Sequence, residues 1–276
     1  MRIVSWNMNR LARSKESHKR AWDYLRDELR ADLALVQEAR PPAEFKSKVY
    51  RSGGKEPYNW GSAVVALRPD LILQPRPRVP LKKSLPDAVG QNELPDSHPS
   101  NCAVADVTVR GRRVFTAISL YASWEMMPGG NSMYAGPRLH RMLSDLTGVL
   151  AVAHRHPVVL AGDLNVSTQG EESRENEAAA VFARLRAWQL VDCIARTRAD
   201  RPRLLNCTCL DGDDCSHVQT YRAKNRVDSY PKQLDYAFAS ESVVSTLKCQ
   251  VIDDEVAWKL SDHCPILLEL KVAEGK

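Results

Sequence analysis

The sequence predicts an α/β domain whose strands end in polar residues, and three observations carry that prediction. Residues 2–6 are β-prone and stop at Asn7. Residues 15–30 set Ala21, Trp22, Leu25 and Leu29 on one helical stripe, and the short apolar run at 32–37 then stops at Glu38. Further along, the apolar run at 158–161 leads straight into Gly162-Asp163. Strand, helix and strand in that order build a sheet of α/β type, where ligands collect at the carboxyl ends of strands.

The remaining elements follow in order. Residues 61–67 and 71–74 read as strands, and 75–100, with six prolines and little periodicity, as a long surface loop. Residues 101–109 and 112–121 flank Arg110-Gly111, a hairpin turn. Leu139, Met142, Leu143, Leu146, Val149 and Leu150 predict a helix over 138–153, and Val181, Phe182 and Leu185 predict another over 174–187. After an irregular stretch, 234–239, 247–252 and 265–272 close the chain as strands. No repeat or low-complexity segment divides the chain, so residues 1–276 are expected to form one domain with an insertion around 196–232.

Composition narrows the class. Apolar residues at 43% and charged residues at 26% describe a globular chain and exclude a disordered tail. No run approaches the roughly 20 apolar residues of a membrane span. The opening MRIVSWNMNR breaks any signal-peptide core at Asn7, Asn9 and Arg10, so a cytoplasmic location without membrane contact is expected. Seven cysteines, an odd number, favour thiols or metal ligands over a disulfide framework. A net charge of +5 is compatible with a polyanionic partner.

Five segments concentrate the chemistry: Ser5-Trp6-Asn7, Gln37-Glu38, Gly162-Asp163-Leu164-Asn165, Leu234-Asp235-Tyr236 and Ser261-Asp262-His263-Cys264-Pro265. Each brings a carboxylate, an amide or a histidine to the end of a predicted strand. Taken singly, Asp163 and Asn165 read as turn or cap residues and His263 as a structural histidine. Together they supply what phosphodiester hydrolysis needs. Hard oxygen ligands hold a cation, a positioned group activates water, and a donor meets the charge developing on the phosphate.

The order and wording of the five segments resemble the endonuclease/exonuclease/phosphatase superfamily, from residue 2 to about residue 270. That group includes abasic-site endonucleases, pancreatic-type deoxyribonuclease, inositol polyphosphate phosphatases, neutral sphingomyelinases and deadenylases. The resemblance implies a four-layer α/β sandwich: two mostly antiparallel sheets packed face to face, helices outside, and the site at one rim. It implies Glu38 as the principal Mg²⁺ (or Mn²⁺) ligand, with Asn7 beside it and Asp262 ligating directly or through water. Asp163 is expected to activate the water, Asn165 to hold a phosphate oxygen, and His263 to donate to the scissile phosphate. Asp235 is expected to orient His263.

Tyr121 ends the run TAISLY, where abasic-site enzymes carry tyrosine and the lipid, inositol and deadenylating branches carry histidine. Its hydroxyl is expected near the phosphate, and the substrate is expected to be nucleic acid, DNA first and RNA second. Ala122-Ser123-Trp124-Glu125, Lys232-Gln233 and Asn7-Met8-Asn9 all depart from the abasic-site pattern, which fits a nuclease of looser specificity. Hydrolysis of an inositol, lipid or other small phosphate is the second reading, and a catalytically dead binding module the third. Arg222, Lys224 and Arg226, after Arg196, Arg198, Arg201 and Arg203, are candidates for tracking a phosphate backbone. Trp60, Trp124 and Tyr221 are candidates to stack on bases.

Residues 206–217 read NCTCLDGDDCSH. Cys207, Cys209, Cys215 and His217 are four ligands suited to a tetrahedral, structural Zn²⁺, although Cys-x-Cys is tighter than the usual knuckle. Free thiols and a local disulfide are the competing readings.

Overall fold

The computed structural model describes residues 1–9, 14–52, 60–80, 90, 93–126, 133–169, 172–197, 201–209, 211–223 and 232–272. The chain opens with β1 (Arg2–Asn7), α1 (Lys15–Asp23), β2 (Leu33–Ala39), β3 (Lys48–Ser52) and β4 (Gly61–Ala66). Next come β5 (Leu71–Pro75), β6 (Arg78–Pro80), β7 (Leu94–Asp96), β8 (Cys102–Val109) and β9 (Arg112–Tyr121). A short pair, β10 (Glu125–Met126) and β11 (Met133–Tyr134), precedes α2 (Gly136–Asp145) and α3 (Thr147–Leu150). Then follow β12 (Val158–Asp163), α4 (Glu172–Ala187), β13 (Leu190–Asp192) and α5 (Cys193–Arg196). The chain closes with β14 (Asp235–Ser240), α6 (Glu241–Val244), β15 (Leu247–Val251), α7 (Glu255–Leu260) and β16 (Ile266–Leu270).

Two six-stranded sheets form, in the orders β15-β16-β1-β2-β4-β3 and β13-β14-β12-β9-β8-β5. Each holds one parallel pair, β1 with β2 and β9 with β12, and antiparallel neighbours elsewhere. This is the expected α/β sandwich.

Strand alternation explains the three hydrophobic layers. Ile3, Leu35 and Val64 of one sheet face Ala105, Ala117, Val159, Ala161 and Ala237 of the other, and together they form the layer between the sheets. Small alanines on that face let the sheets approach. The alternate residues turn outward. Val4, Trp6 and Val36 pack on Trp22 and Leu25 beneath α1, while Ile118, Leu160 and Phe238 pack on Leu139, Leu143 and Phe182 of α2 and α4. Strands covered on both faces read as unbroken apolar runs, and this is why the runs at 61–67 and 158–161 lack a clean alternation.

The structure differs from the sequence expectations in four places. The proline-rich stretch expected to be a loop contains β6 and β7, paired in parallel with Arg78 opposite Leu94. Asp96 of β7 fixes them by accepting from Arg78 of β6 itself and from Arg51 of the remote strand β3. The helix expected over 138–153 is two helices, α2 and α3, that meet at Leu146 with φ −87 and ψ 0. The helix of 15–30 ends as a π-helical turn, Tyr24–Glu28. The irregular stretch after α4 contains β13 and α5, the latter capped by Asp192 Oδ1 accepting from the amides of Ile194 and Ala195. Among the described residues, no helix is long and apolar enough to cross a membrane.

Candidate active site

The layer between the sheets is apolar at one end and polar at the other. The period of two places Ile3, Ser5 and Asn7 in one column of β1, and Leu33, Leu35 and Gln37 in one column of β2. Columns of β9, β12 and β14 end likewise in Tyr121, Asp163 and Asp235. Register aligns these ends: Asn7 lies beside Gln37, and Asp163 beside both Tyr121 and Asp235. Gln37 Nε2 donates to Ser119 Oγ at 2.9 Å, and Ser119 Oγ donates to the Val36 carbonyl at 2.9 Å, pinning the two sheets just below the polar rim.

Three residues at this rim adopt positive φ: Asn9 at 45°, Glu38 at 45° and Asn165 at 50°. Asparagine tolerates that region; glutamate is strained there. Glu38 occupies the irregularity where the β2–β4 register shifts between Val36 and Ala39, and this turns its carboxylate into the rim. Gly162 is forced by crowding. With φ 153°, a Cβ there would stand 1.9 Å from the Leu120 carbonyl oxygen, so only glycine lets β12 run against β9 into Asp163.

Asp163 is the hub. Its Oδ2 accepts from Asn7 Nδ2 at 2.9 Å and from Asn165 Nδ2 at 3.0 Å, and its Oδ1 accepts from the Asn165 amide at 3.0 Å. All three partners are donors, as an ionised carboxylate requires. Burial pushes the Asp163 carboxyl up to about 8; His263 opposes the shift, Asp235 adds to it, the Asn7 hydrogen bond opposes it and Glu38 adds to it. His263 Nε2 is 3.9 Å from Asp163 Oδ2, and its Nδ1 is 2.8 Å from Asp235 Oδ2. Burial disfavours the imidazolium, yet Asp235 and Asp163 outweigh it and bring His263 up to about 10. The imidazole is thus hydrogen-bonded to Asp235 through Nδ1, and its Nε2 stands at ion-pair distance from Asp163, so both ring nitrogens are directed at carboxylates.

Asn7 is fully buried, and its Nδ2 also donates to Glu38 Oε1 at 3.1 Å. Its Oδ1 is taken by the Asn9 amide at 2.9 Å. Asn7 therefore bridges the Glu38 and Asp163 carboxylates, and its amide nitrogen rather than its oxygen faces the acids. Asn9 Nδ2 donates to Asp262 Oδ1 at 2.6 Å. Burial, with Glu38 beside it and hydrogen-bonded, raises Tyr121 and holds its phenol protonated. Four carboxylates (Glu38, Asp163, Asp235 and Asp262) thus converge on one imidazole. That donor set is oxygen-rich and over-supplied with negative charge, which suits a hard divalent cation, with Glu38 and Asp262 half-buried on the open side.

Asn9, Glu38, Tyr121, Asp163, Asn165, Asp262 and His263 line a cavity of about 480 Å³ that also takes in Trp124, Tyr134, Tyr221 and Lys232, while Asn7 and Asp235 lie behind its wall. A recess of about 1070 Å³ among Met1, Arg110 and Val272 holds none of the motif residues.

The residues of the five motifs therefore meet. Arg222 does not join them: its guanidinium lies 4.3 Å from the Trp258 ring centre and 3.8 Å from Asp253. Arg196 donates to the Val244 carbonyl, Arg201 to those of Ile194 and Ser216, and Arg203 pairs with Asp213. Lys224, Arg226 and Arg198 lie outside the described residues. Trp60 packs edge-on against Tyr121 with centroids 5.9 Å apart.

Sequence reasoning missed Thr220 altogether and missed the contacts that Asn9 and Tyr221 make here. Asn9 ties Asn7 to Asp262; the alternation Asn7-Met8-Asn9 was its signal. Thr220 is buried, and its Oγ1 accepts from the amides of Leu234 and Asp235 at 3.0 Å each. Tyr221 packs on His263 with ring centroids 4.9 Å apart. Thr220 carries no motif, so nothing in the sequence marked it, and Tyr221 was marked only as an aromatic that could stack on a base, not as a neighbour of His263.

Two face-to-face sheets with helices outside and an acid-and-imidazole centre at one rim define an α/β-sandwich protein of hydrolase type. The chain belongs to the Endonuclease/Exonuclease/phosphatase family, whose pattern residues 4–263 match. It is thereby a phosphoester hydrolase by family, and divalent-metal dependence is typical of that family. No curated protein sequence matches the chain. Among solved structures, an AP endonuclease from Archaeoglobus fulgidus is similar at a TM-score of 0.64 and 19% identity, over 99% of this chain and 100% of that one. The endonuclease domain of TRAS1, a telomere-specific non-LTR retrotransposon, is similar at a TM-score of 0.59 and 17% identity, over 99% of both chains. At such identities the likeness is one of fold.

Proposed function

We propose that the chain is a nuclease that hydrolyses phosphodiester bonds of DNA with Mg²⁺ or Mn²⁺. The observation that carries this reading is the convergence on Asp163 of Asn7, Asn165 and His263, facing Glu38 and Asp262 across one cavity.

Glu38 and Asp262 are the side chains that would hold the cation, with Asn7 and Asn9 fixing their carboxylates by hydrogen bonds. The cation, when bound, neutralises charge on the phosphate and the leaving oxygen. Asp163 takes a proton from the attacking water. Asn7 and Asn165 hold it in one orientation for that transfer. His263, protonated and steadied by Asp235, donates from Nε2 to a phosphoryl oxygen. The Tyr121 hydroxyl stands at the same rim and donates to the phosphate once substrate displaces its contact with Glu38. Asn165 has a second amide proton for a non-bridging oxygen.

Support for a nucleic acid over a small phosphate comes from the cavity walls. Trp124 is 38% exposed there, beside Tyr134, Tyr221 and Lys232, a set that offers aromatic faces and a cation to a stacked base and its phosphate. The AP endonuclease and retrotransposon endonuclease names of the similar structures agree with this reading.

The test is cleavage of end-labelled single-stranded DNA, duplex DNA, abasic duplex and RNA with Mg²⁺ and with Mn²⁺. Asp163→Ala and His263→Ala proteins run beside the wild type. Cutting of a DNA that both variants fail to cut supports the reading. Exclusive cutting of RNA, or turnover only of inositol phosphates or other small phosphoesters, refutes it.

A further inference from the structure

Between α5 and β14 the chain gathers a second cluster that the catalytic reading does not use. Single ligand atoms from Cys207, Cys209, Cys215 and His217 all lie within 4.8 Å of one another. The His217 Nδ1 stands 3.6 Å from Cys207 Sγ and 3.5 Å from Cys215 Sγ. With Zn–S near 2.3 Å and Zn–N near 2.0–2.1 Å, the sulfur-to-nitrogen edge of a zinc tetrahedron is about 3.5 Å. The two separations therefore equal those that one central ion would impose.

The surroundings support a ligand set over loose thiols. The other imidazole nitrogen, Nε2, is 2.6 Å from Thr168 Oγ1, and donating there leaves the Nδ1 lone pair directed at the sulfurs. Gln169 Nε2 donates to Cys207 Sγ at 3.2 Å, an outer contact suited to a thiolate. Cys215 is 0% exposed, His217 6% and Cys209 9%, so the site is closed and leaves no open position for substrate. A closed four-ligand site with three sulfurs is structural in type and selects Zn²⁺ over the hard cations suited to Glu38 and Asp262.

We propose that Cys207, Cys209, Cys215 and His217 bind one structural Zn²⁺ that clasps the chain leading to the catalytic strand β14 onto the loop after Asn165. The clasp is continuous. Thr168 and Gln169 belong to the loop that follows Asp163 and Asn165, and both contact zinc ligands. Gln169 Oε1 accepts from the Gln233 amide at 2.8 Å, and Gln233 Oε1 accepts from the Val218 amide at 3.0 Å. Two residues beyond Val218, Thr220 holds the amides of Leu234 and Asp235. Ordering His217 therefore orders the segment that aims Asp235 at His263.

The test reads the metal directly, so it stands or falls apart from the nuclease reading. Untagged full-length protein, desalted and analysed by plasma mass spectrometry, is expected to carry about one zinc per chain. Removal with a zinc-selective chelator should lower Tm and abolish hydrogen-exchange protection at the Val218 and Gln233 amides. Zn²⁺ should restore both, and Mg²⁺ neither. Co²⁺ added to the stripped protein should give the visible bands of a tetrahedral thiolate centre. Cys215→Ser and His217→Ala should each reduce bound zinc at least tenfold, while Cys249→Ser, outside the cluster, keeps it. Should those two variants fail to fold, the Co²⁺ spectrum of the wild type decides alone. Less than a tenth of an equivalent of zinc together with no thiolate band from Co²⁺ overturns the proposal, as does undiminished zinc in a folded Cys215→Ser protein.

Discussion

His263 Nδ1 lies 2.8 Å from Asp235 Oδ2, and both side chains are almost completely buried. The pair sets a direction for pH. His263 is raised to about 10, so the imidazolium that the mechanism needs persists through neutrality and is lost as pH climbs through 10. Asp163 must be ionised to accept a proton, and it is raised to about 8. Activity is therefore expected to rise with pH on an acid limb well above the ordinary carboxylate range, and to fall on a basic limb near 10. Mg²⁺ favours the carboxylate and should move the acid limb below 8. Asp235→Asn removes the charge that sustains the imidazolium, so the basic limb should shift down by more than a pH unit and kcat should drop about 10²–10⁴-fold. Profiles of kcat/KM against pH for both proteins check this. An unmoved basic limb in Asp235→Asn would sink the assignment.

The same shifts act on stability. His263 has a folded-state pKa above its ordinary 6.5, so its contribution is complete below 6.5 and is lost as pH rises through about 10. Asp163, also raised, penalises the folded state progressively between about 4 and 8. Both signs agree. Without divalent cation, Tm should fall steadily from pH 6 to pH 10, and Mg²⁺ should recover part of the loss by favouring ionised Asp163. A melting series across pH, with and without Mg²⁺, reads this directly.

Thr220 supports Asp235 from behind. Its buried hydroxyl accepts from two backbone amides, and Thr220→Val preserves shape while leaving both unpaired. Each orphaned buried donor costs about 1–3 kcal/mol, so unfolding in urea should show a loss within or above that range. Because Asp235 is one of the two residues released, kcat should fall as well. A fully stable Thr220→Val protein with unchanged kcat would show that the hydroxyl positions nothing.

How much of this was legible depends on whether a contact is local or remote in the chain. Asn7, Glu38, Asp163, Asp235 and His263 each sit at the end or entry of an apolar run, so strand periodicity put them at strand ends, and the order of the five motifs with the resemblance it carries implied their roles. Their convergence needed the sandwich, because Asn7 meets Asp163 across a sequence separation of 156. Thr220 acts through a backbone-directed hydroxyl within an irregular segment and leaves no pattern, while the ring contact of Tyr221 with His263 could not be read from the aromatic residue alone. β6 and β7 were hidden for another reason: their pairing is held by Asp96 accepting from Arg78 within the pair and from Arg51 of a remote strand, not by their own alternation. The arginines considered for phosphate are a separate case. Basic residues near a motif in sequence are, at Arg196, Arg201 and Arg222, already engaged with backbone carbonyls or with Trp258.

Among the groups that line the cavity, Trp124 gives the most informative test of substrate contact. It follows β9 by three positions, is 38% exposed, and lines the same cavity as Asp163 and His263. A nucleobase stacked on this partly exposed indole, beside the proposed catalytic centre, would cover its open face. Stacking on one aromatic contributes about 1–3 kcal/mol per base, equivalent to roughly a 5- to 150-fold change in KM. Trp124→Ala should therefore raise KM for a polynucleotide by such a factor with kcat little changed, since the ring touches a base and not the reacting phosphate. A minimal substrate such as bis(p-nitrophenyl) phosphate supplies no base, and its turnover should be unaffected. If Trp124→Ala weakens both substrates equally, the indole supports the cavity wall and does not read a base. In that case the small-phosphate reading gains ground.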